Sequence, residues 1–460
     1  MFTGLEELLA YGVEWDVTVA DPHITRIGNM SLHKTLPIQS QLKGCIAQED
    51  KVIYWLDEND WRFRKDATTI AVTPTEDNAN VLEVASTTGL GINQYLRSGD
   101  VMARITAVDR DASTITVEWI LPEVGEGEEP FDIMTITSLE VGSRLDGYHG
   151  TVRVYCPNFY IKSVIDGNKR RVWLSTVKID NTWTYQHEIL IDAYRSTVLS
   201  AEGATLASNG TIEEESYLAT LHINSAISVV NTAPYCRGGN DNAAYDKYLE
   251  GVEATEDTEA VEKDIFRTQL GKPRTSMPRS TMRSYSRNAG NEMLSYNQYK
   301  NIFYWLYVVE YANFNCQEAY NADLTEEGYH QGGMGAGITN MGNWNEYNGY
   351  YPLTPCGYCN HIGNGTGIVK LVIPEFTYGS GTVKAAQTRY VPRWRGFDNP
   401  FGDIWTNLDG IVVERTTGLS NVWTTDDYSE YTDVIGNKEL AGQECLGEGY
   451  IKYFNLGETA

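Results

Sequence analysis

The run Ile302-Phe303-Tyr304-Trp305-Leu306-Tyr307-Val308-Val309-Glu310-Tyr311 offers almost no face to water. Its spacing predicts a helix over 299–313 that is apolar on nearly every side, and such a helix has to lie inside a domain. The fold must therefore be large enough to surround it. The 460 residues are enough for two or three domains with a sizeable core. Glu310 is the one acid in the run, so once buried its carboxylate needs a cation or a hydrogen-bond donor, or its pKa rises. Trp305 and Glu310 read as structural core; the alternative for Glu310 is a catalytic acid.

A second stretch is dense in a different way. Arg393 to Gly410 holds two arginines, four large aromatics, three aspartates and three glycines. It shows neither steady alternation nor a 3.6-residue period, which predicts aromatics buried through irregular backbone with local polar partners. Trp394, Arg395, Phe397, Phe401 and Trp405 are expected in the core, with Asp398, Asn399, Asp403 and Asn407 satisfying the backbone.

Charge narrows the partners. With 62 acidic against 36 basic residues the formal charge is −26, which argues against nucleic acid or an anionic membrane as the main partner. Thirty tyrosines, eleven tryptophans and 42 glycines suit a β-rich, turn-rich protein with surface for sugar or protein contact. The first residues lack a basic start followed by an apolar run, and no segment reaches the length of a membrane helix, so neither a signal peptide nor membrane insertion is expected. Seven cysteines, an odd number widely spread, predict free thiols rather than a disulfide framework.

Taken in order, residues 1–35 read as an extended arm with one helical turn near Leu5 to Tyr11, ordering against a partner or another subunit. A strand is expected at Lys51–Leu56. From 66 to 146 the texture becomes short β-branched runs between Gly, Asp and Ser turns: Thr69–Val72, Val81–Val84, Val101–Ile105, Thr114–Trp119 and Ile133–Ile136. These predict a small antiparallel barrel or sandwich, closed by the acidic loop Glu123 to Glu129 and acting as a spacer, with a second binding module as the alternative. More strands follow at Thr151–Tyr155, Phe159–Lys162, Arg171–Ser175 and Ile189–Tyr194. The basic run from Arg267 to Arg287 is expected to neutralise carboxylates of the chain itself.

After the apolar helix comes a glycine-rich, aromatic segment over 329–364. Long irregular segments are uncommon unless functional, and Tyr, Trp, Asn and Gly are the residues of adaptable binding loops. Candidate ligand-binding residues are Trp344, Asn345, Tyr347, Asn348, Tyr350, Tyr351, Tyr358 and Asn360; simple packing is the alternative. Cys356-Gly357-Tyr358-Cys359 is a lone C-x-x-C without a second pair at similar spacing, so two free thiols are expected, with no metal and no cofactor; a zinc site completed by His361 and His330 is the alternative. No phosphate-binding loop, nucleophile elbow or H-E-x-x-H is present. No catalytic residue is assigned.

Tyr304-Trp305-Leu306-Tyr307-Val308-Val309-Glu310-Tyr311-Ala312-Asn313-Phe314-Asn315-Cys316-Gln317, with Arg395-Gly396-Phe397-Asp398-Asn399-Pro400-Phe401-Gly402-Asp403-Ile404-Trp405 further on, resembles the head- or tail-fibre proteins of phages infecting Bacteroides, crAss-like phages among them. Their patterns are of the type L-x-x-V-E-Y-A-x-x-N-S-Q and R-G-I-E-N-P-F-G-x-I-W. Cys316 replaces the usual serine here, and Phe397-Asp398 replaces Ile-Glu. The resemblance covers 29–65 and 147–411. It leaves 66–146 as an insertion, and a more distant likeness of the C-terminal part is to the C-type lectin-like fold of formylglycine-generating-enzyme relatives.

The resemblance implies an α+β, β-rich fold with a lectin-like domain over 36–65 and 147–460. It also implies a non-enzymatic virion fibre or adhesin, made in the bacterial cytoplasm, that is a homo-oligomer (dimer or trimer). Residues 1–35 would attach to other virion proteins, and the 329–364 loop would meet a host-surface glycan. The aromatic candidates would stack on sugar faces and the asparagines would bond hydroxyls. The alternatives are a purely structural capsid or tail decoration protein and a capsule polysaccharide depolymerase.

Overall fold

The computed structural model describes residues 4–19, 23–123, 125, 129, 131–199, 213–230, 236–237, 273–274, 277–335, 352–353, 356–373, 376–377, 383–385, 387–401, 406–416 and 419–445. It is β-rich with few helices, and the described strands pair antiparallel with one another. Two sheets form the body. The first has the order β14-β12-β13-β1-β2, with β1 Ala10–Asp16, β2 Thr25–Gly28, β12 Phe159–Asp166, β13 Lys169–Ser175 and β14 Thr184–Gln186. The second runs β15-β11-β3-β4, with β3 Lys43–Gln48, β4 Lys51–Trp55, β11 Thr151–Cys156 and β15 Ile189–Asp192.

Between β4 and β11 the chain makes a closed six-stranded barrel of order β10-β5-β6-β9-β8-β7. Its strands are β5 Thr68–Pro74, β6 Val81–Val84, β7 Tyr95–Ser98, β8 Val101–Asp109, β9 Thr114–Ile120 and β10 Ser138–Val141. Closure leaves no sheet edge unpaired. Leu82, Leu96, Ala103, Ile105 and Ile115 are fully buried in a core of its own. The expected strand over Ile133–Ile136 is instead a 3-10 turn, Ile133–Thr135, because the Asp132 carboxylate caps the amide of Met134. Strands β7 and β10, absent from the sequence reading, complete the ring.

The described residues of 1–35 pack into the body and do not extend as an arm. Strand β1 is hydrogen-bonded on both sides, to β13 and β2, and its alternate residues Tyr11, Val13 and Trp15 enter the main core. Trp15 stacks on Trp305 at 5.7 Å. The Tyr11 hydroxyl donates to Gln39 Oε1 at 2.7 Å, and Gln39 Nε2 donates to the carbonyl of Leu306 at 3.0 Å. A buried strand with both edges paired has no backbone left to offer a partner.

The apolar run is helical and enclosed as its composition requires. A π-helical segment, Tyr299–Trp305, continues into an α-helix, Leu306–Tyr311, that Ala312 ends in the left-handed region. Every residue from Trp305 to Tyr311 is buried. Around it close the strand Gln387–Trp394, which pairs with Gly367–Ile373, and the short strand Phe397–Asp398. Arg395 and Gly396, both at positive φ (51° and 93°), make a two-residue hairpin turn between Trp394 and Phe397. This pattern fits the mirror-image turns that hairpins prefer. The start of the 393–410 stretch is thus a tight hairpin, not irregular backbone. At Gly396 a side chain would lie 2.7 Å from the Trp61 ring, so glycine is required there twice over.

Candidate functional site

The hairpin brings the two halves of the core together. Trp394, Phe397 and Phe401 are buried, and Trp394 and Phe397 stack at 6.1 Å. Arg395 Nη2 donates to Glu310 Oε1 at 2.8 Å, while Trp394 Nε1 and Arg395 Nε donate to Glu310 Oε2, both at 3.2 Å. The Glu310 side chain is wholly buried and so fully compensated. One turn partner further, Arg393 ion-pairs with Asp398 and lies 3.9 Å above the Trp61 ring. These charges serve the scaffold; none faces a cleft.

Trp344, Asn345, Tyr347, Asn348, Tyr350, Tyr351 and Trp405 lie outside the described residues, as does much of the acidic loop 123–129. The near end of the proposed loop folds back on the body: Met334 donates its amide to Cys316 O at 2.9 Å and is buried, and Tyr329 lies beneath Arg26 at 4.8 Å. Asn360 lines a cleft together with Tyr358. It is buried, and its Oδ1 accepts from the Tyr194 hydroxyl at 2.6 Å while its carbonyl accepts from the Trp61 amide at 2.8 Å. Its Oδ1 is thus committed within the body.

Tyr358 and Asn360 are the described candidates that line a cleft. The cleft, about 200 Å³, lies in the seam between barrel and body. The barrel contributes the loop Ile92–Gln94, Tyr95 of β7 and Arg104 of β8; the returning chain contributes Ser143–Asp146; the body contributes Arg62, Val230, Tyr358 and His361. Local hydrogen bonds set these walls. Gly142 N donates to Tyr95 O and Ser143 N to Arg62 O, each at 2.8 Å. Gln94 Nε2 donates to Gly142 O at 2.8 Å, and its Oε1 accepts from Gly91 N at 3.1 Å. Gly91 has to lack a side chain, since a Cβ there would sit 2.6 Å from Arg144 Nη1.

No family model matches this chain, and neither does a curated protein or a solved structure.

The cleft is lined by aromatics and by arginines that are each paired with a carboxylate. Arg62 grips Asp60 through Nε (2.9 Å) and Nη2 (2.7 Å) and covers the Tyr95 ring at 4.8 Å. Arg144 is clasped by Asp146 at 2.7 Å, reaches Glu213 at 3.2 Å and lies 4.1 Å over Tyr148. Burial, with Arg62 alongside, holds the His361 imidazole below its ordinary value, so the ring is neutral at neutral pH. Such a wall can stack on a flat ligand face and donate hydrogen bonds to oxygen. The thiols nearby are inert by comparison: Cys359 is pushed well up by burial and points at Val391 O, and Cys356 Sγ donates to Arg195 O at 3.3 Å. Among the described residues no three or more His, Cys, Asp or Glu side chains gather as a cation site.

The sequence reading missed this cleft because its parts are far apart along the chain. One signal was present. Asp66 and Asp146, the limits of the inserted segment, mark where both chain crossings must meet the body, and ligand sites favour such domain seams.

Proposed function

We propose that this chain is a non-enzymatic virion fibre or decoration protein that attaches to a host-surface glycan. In this reading the body has a C-type lectin-like fold, the barrel is a module inserted into it, and the chain works as a homo-oligomer on the virion. The seam cleft, with Tyr95 and Tyr358 beside arginine and hydroxyl donors, is the observation that carries the binding part. Aromatic faces flanked by a few fixed polar groups are how binding sites hold a ring and orient it. The fit of the resemblance is supported by its two motifs meeting at the Glu310–Arg395 pair, as parts of one scaffold.

Binding of the labelled full chain to bacterial cells and to a glycan array tests this. Replacing Tyr95 and Tyr358 together by Ala is expected to weaken binding by about tenfold or more, from about 1.5 kcal/mol or more of lost ring contact. Replacing Trp344, Tyr347 and Tyr350 together reports whether the 344–351 segment shares the work. Absence of any cell or glycan binding would leave the decoration role in its place.

A further inference from the structure

We infer, resting on the attachment reading above, that the seam cleft takes the carboxylate of an acidic sugar at a glycan chain end. Three observations point to this chemistry. Ser143 lines the seam and is 4% exposed, and its buried Oγ has no hydrogen-bond partner. Buried hydroxyls are normally paired, and an orphan in a cleft-lining residue is a donor held for something absent from the chain. Arg62 is next to it, joined by the Ser143 N to Arg62 O hydrogen bond of 2.8 Å. Asp60 occupies only the Nε–Nη2 edge of that guanidinium, so Nη1 lies outside the pair. A guanidinium nitrogen and a hydroxyl from two residues lining one cleft are complementary donors for carboxylate oxygens.

The lining arginines are paired, Arg62 with Asp60, Arg104 with Glu118, and Arg144 with Asp146 and Glu213. The Asp146 carboxylate is already held by Arg144 Nε and Nη2 and by the Tyr148 amide, so an entering anion meets neutralised acid. Size sets the remaining limit. About 200 Å³ is below the roughly 300–1,000 Å³ of drug-sized sites, which gives room for one ring. The ring's apolar face would lie on Tyr95 and Tyr358, with the carboxylate towards Ser143 and Arg62.

Calorimetric titration of the full chain with methyl glucuronide, methyl galacturonide and N-acetylneuraminic acid, with methyl glucoside as the neutral control, tests the inference. At least one acidic sugar is expected to bind about tenfold or more tightly than the glucoside, and to weaken as salt rises. Ser143→Ala is expected to weaken it about fivefold to tenfold and Arg62→Gln by more, with the neutral control unchanged. Ser143→Ala removes a single unpartnered oxygen, so its folding is safe even where Arg62→Gln is not. Equal binding of the neutral and acidic sugars, no binding of any acid, or full affinity in Ser143→Ala would overturn the inference. Cell attachment is measured separately with the same protein. If cells bind but no acidic sugar does, the carboxylate site falls and attachment stands; if an acidic sugar binds in the cleft but cells do not, attachment falls and the site stands.

Discussion

The barrel and the body solve the same problem, burying apolar surface, with opposite treatment of charge. In the barrel, alternate residues such as Val101, Ala103 and Ile105 on β8 face a wholly apolar centre. Its ion pairs, Arg104–Glu118 at 2.6 Å and Arg97–Glu140 at 2.7 Å, lie at the outside. In the body the charges are in the middle. Glu310 and Arg395 sit among Tyr307, Tyr311 and Trp394, and Arg393 and Asp398 beside Trp61. A barrel of this kind depends on pattern and tolerates changes of charge; a core of the second kind depends on each charge having its partner.

That contrast breaks most sharply at Glu310. Glu310→Ala leaves Arg395 and Trp394 Nε1 buried without an acceptor, and is expected to cost the body about 3–5 kcal/mol. Urea unfolding followed by tryptophan fluorescence measures this, since Trp305 and Trp394 lie in the affected core. A loss under about 1 kcal/mol, the size of a surface pair, would show that the buried charges are dispensable and remove the contrast. In the barrel the comparable injury is to an apolar residue. Leu96→Ala is expected to cost about 3 kcal/mol as transfer and cavity terms, and to speed amide exchange in β5–β10 while the strands of the body keep their protection. Equal acceleration in both would mean that seam contacts, such as Arg97 over Phe63 at 4.0 Å, bind the two cores into one cooperative unit.

The same contrast governed what could be read from the amino-acid order. Strands β5, β6, β8 and β9 were legible because β-branched residues alternate between glycine and aspartate turns, a local signal. Strand β7, Tyr95–Ser98, was not legible because it holds no β-branched residue and runs straight into Gly99-Asp100. In the body the signals are weaker and the contacts longer. The Tyr11, Val13, Trp15 alternation of β1 was available but short, and its partners β2 and β13 and its neighbour Trp305 span much of the chain. The Arg395-Gly396 turn was hidden because arginine is an unusual residue at positive φ. Asn360 looked like a surface amide, and only the fold places Tyr194 and Trp61 around it. The need of Glu310 for a cation was readable; which arginine answers it was not.

Acid should weaken the body before it reaches the carboxylates. His33 packs edge-on to Tyr11 at 5.5 Å, its Nε2 bonds the carbonyl of Ile27 at 3.0 Å, and burial with Arg26 nearby lowers its pKa to about 4. Unfolded, the imidazole takes up its proton near pH 6.5; folded, it does so only near pH 4. Between those values the unfolded chain binds more protons, so stability is complete above the upper value and falls as pH drops towards the lower. The expected loss is about 1–3 kcal/mol, and His33→Gln should flatten the slope in that window. His149, also lowered to about 4 by burial with Arg64 and Arg144 beside it, adds a slope of the same sign. Glu14 and Asp433, lowered by their arginine and lysine partners against the opposing effect of burial, are lost below the ordinary carboxylate range. An unchanged slope in His33→Gln would place the acid sensitivity outside the body core.

The smallest effect is expected at the charge that is most visible. Arg104 meets Glu118 across β8 and β9 at 2.6 Å, but the two side chains are 36% and 58% exposed. Water and salt screen such a pair, and ordering two long side chains offsets part of its attraction, so Arg104→Ala should cost the barrel under about 1 kcal/mol. High salt should erase even that difference. Arg104 also donates through Nη1 to Asn93 Oδ1 at 3.3 Å, where Asn93 turns the seam loop at a φ of 67°. Its substitution can therefore loosen the cleft while leaving barrel stability unchanged. Measuring thermal unfolding and acidic-sugar binding on the same variant separates the two roles. A stability loss as large as that of Leu96→Ala would mean that the barrel, like the body, relies on its charges, and the division between the two cores would no longer hold.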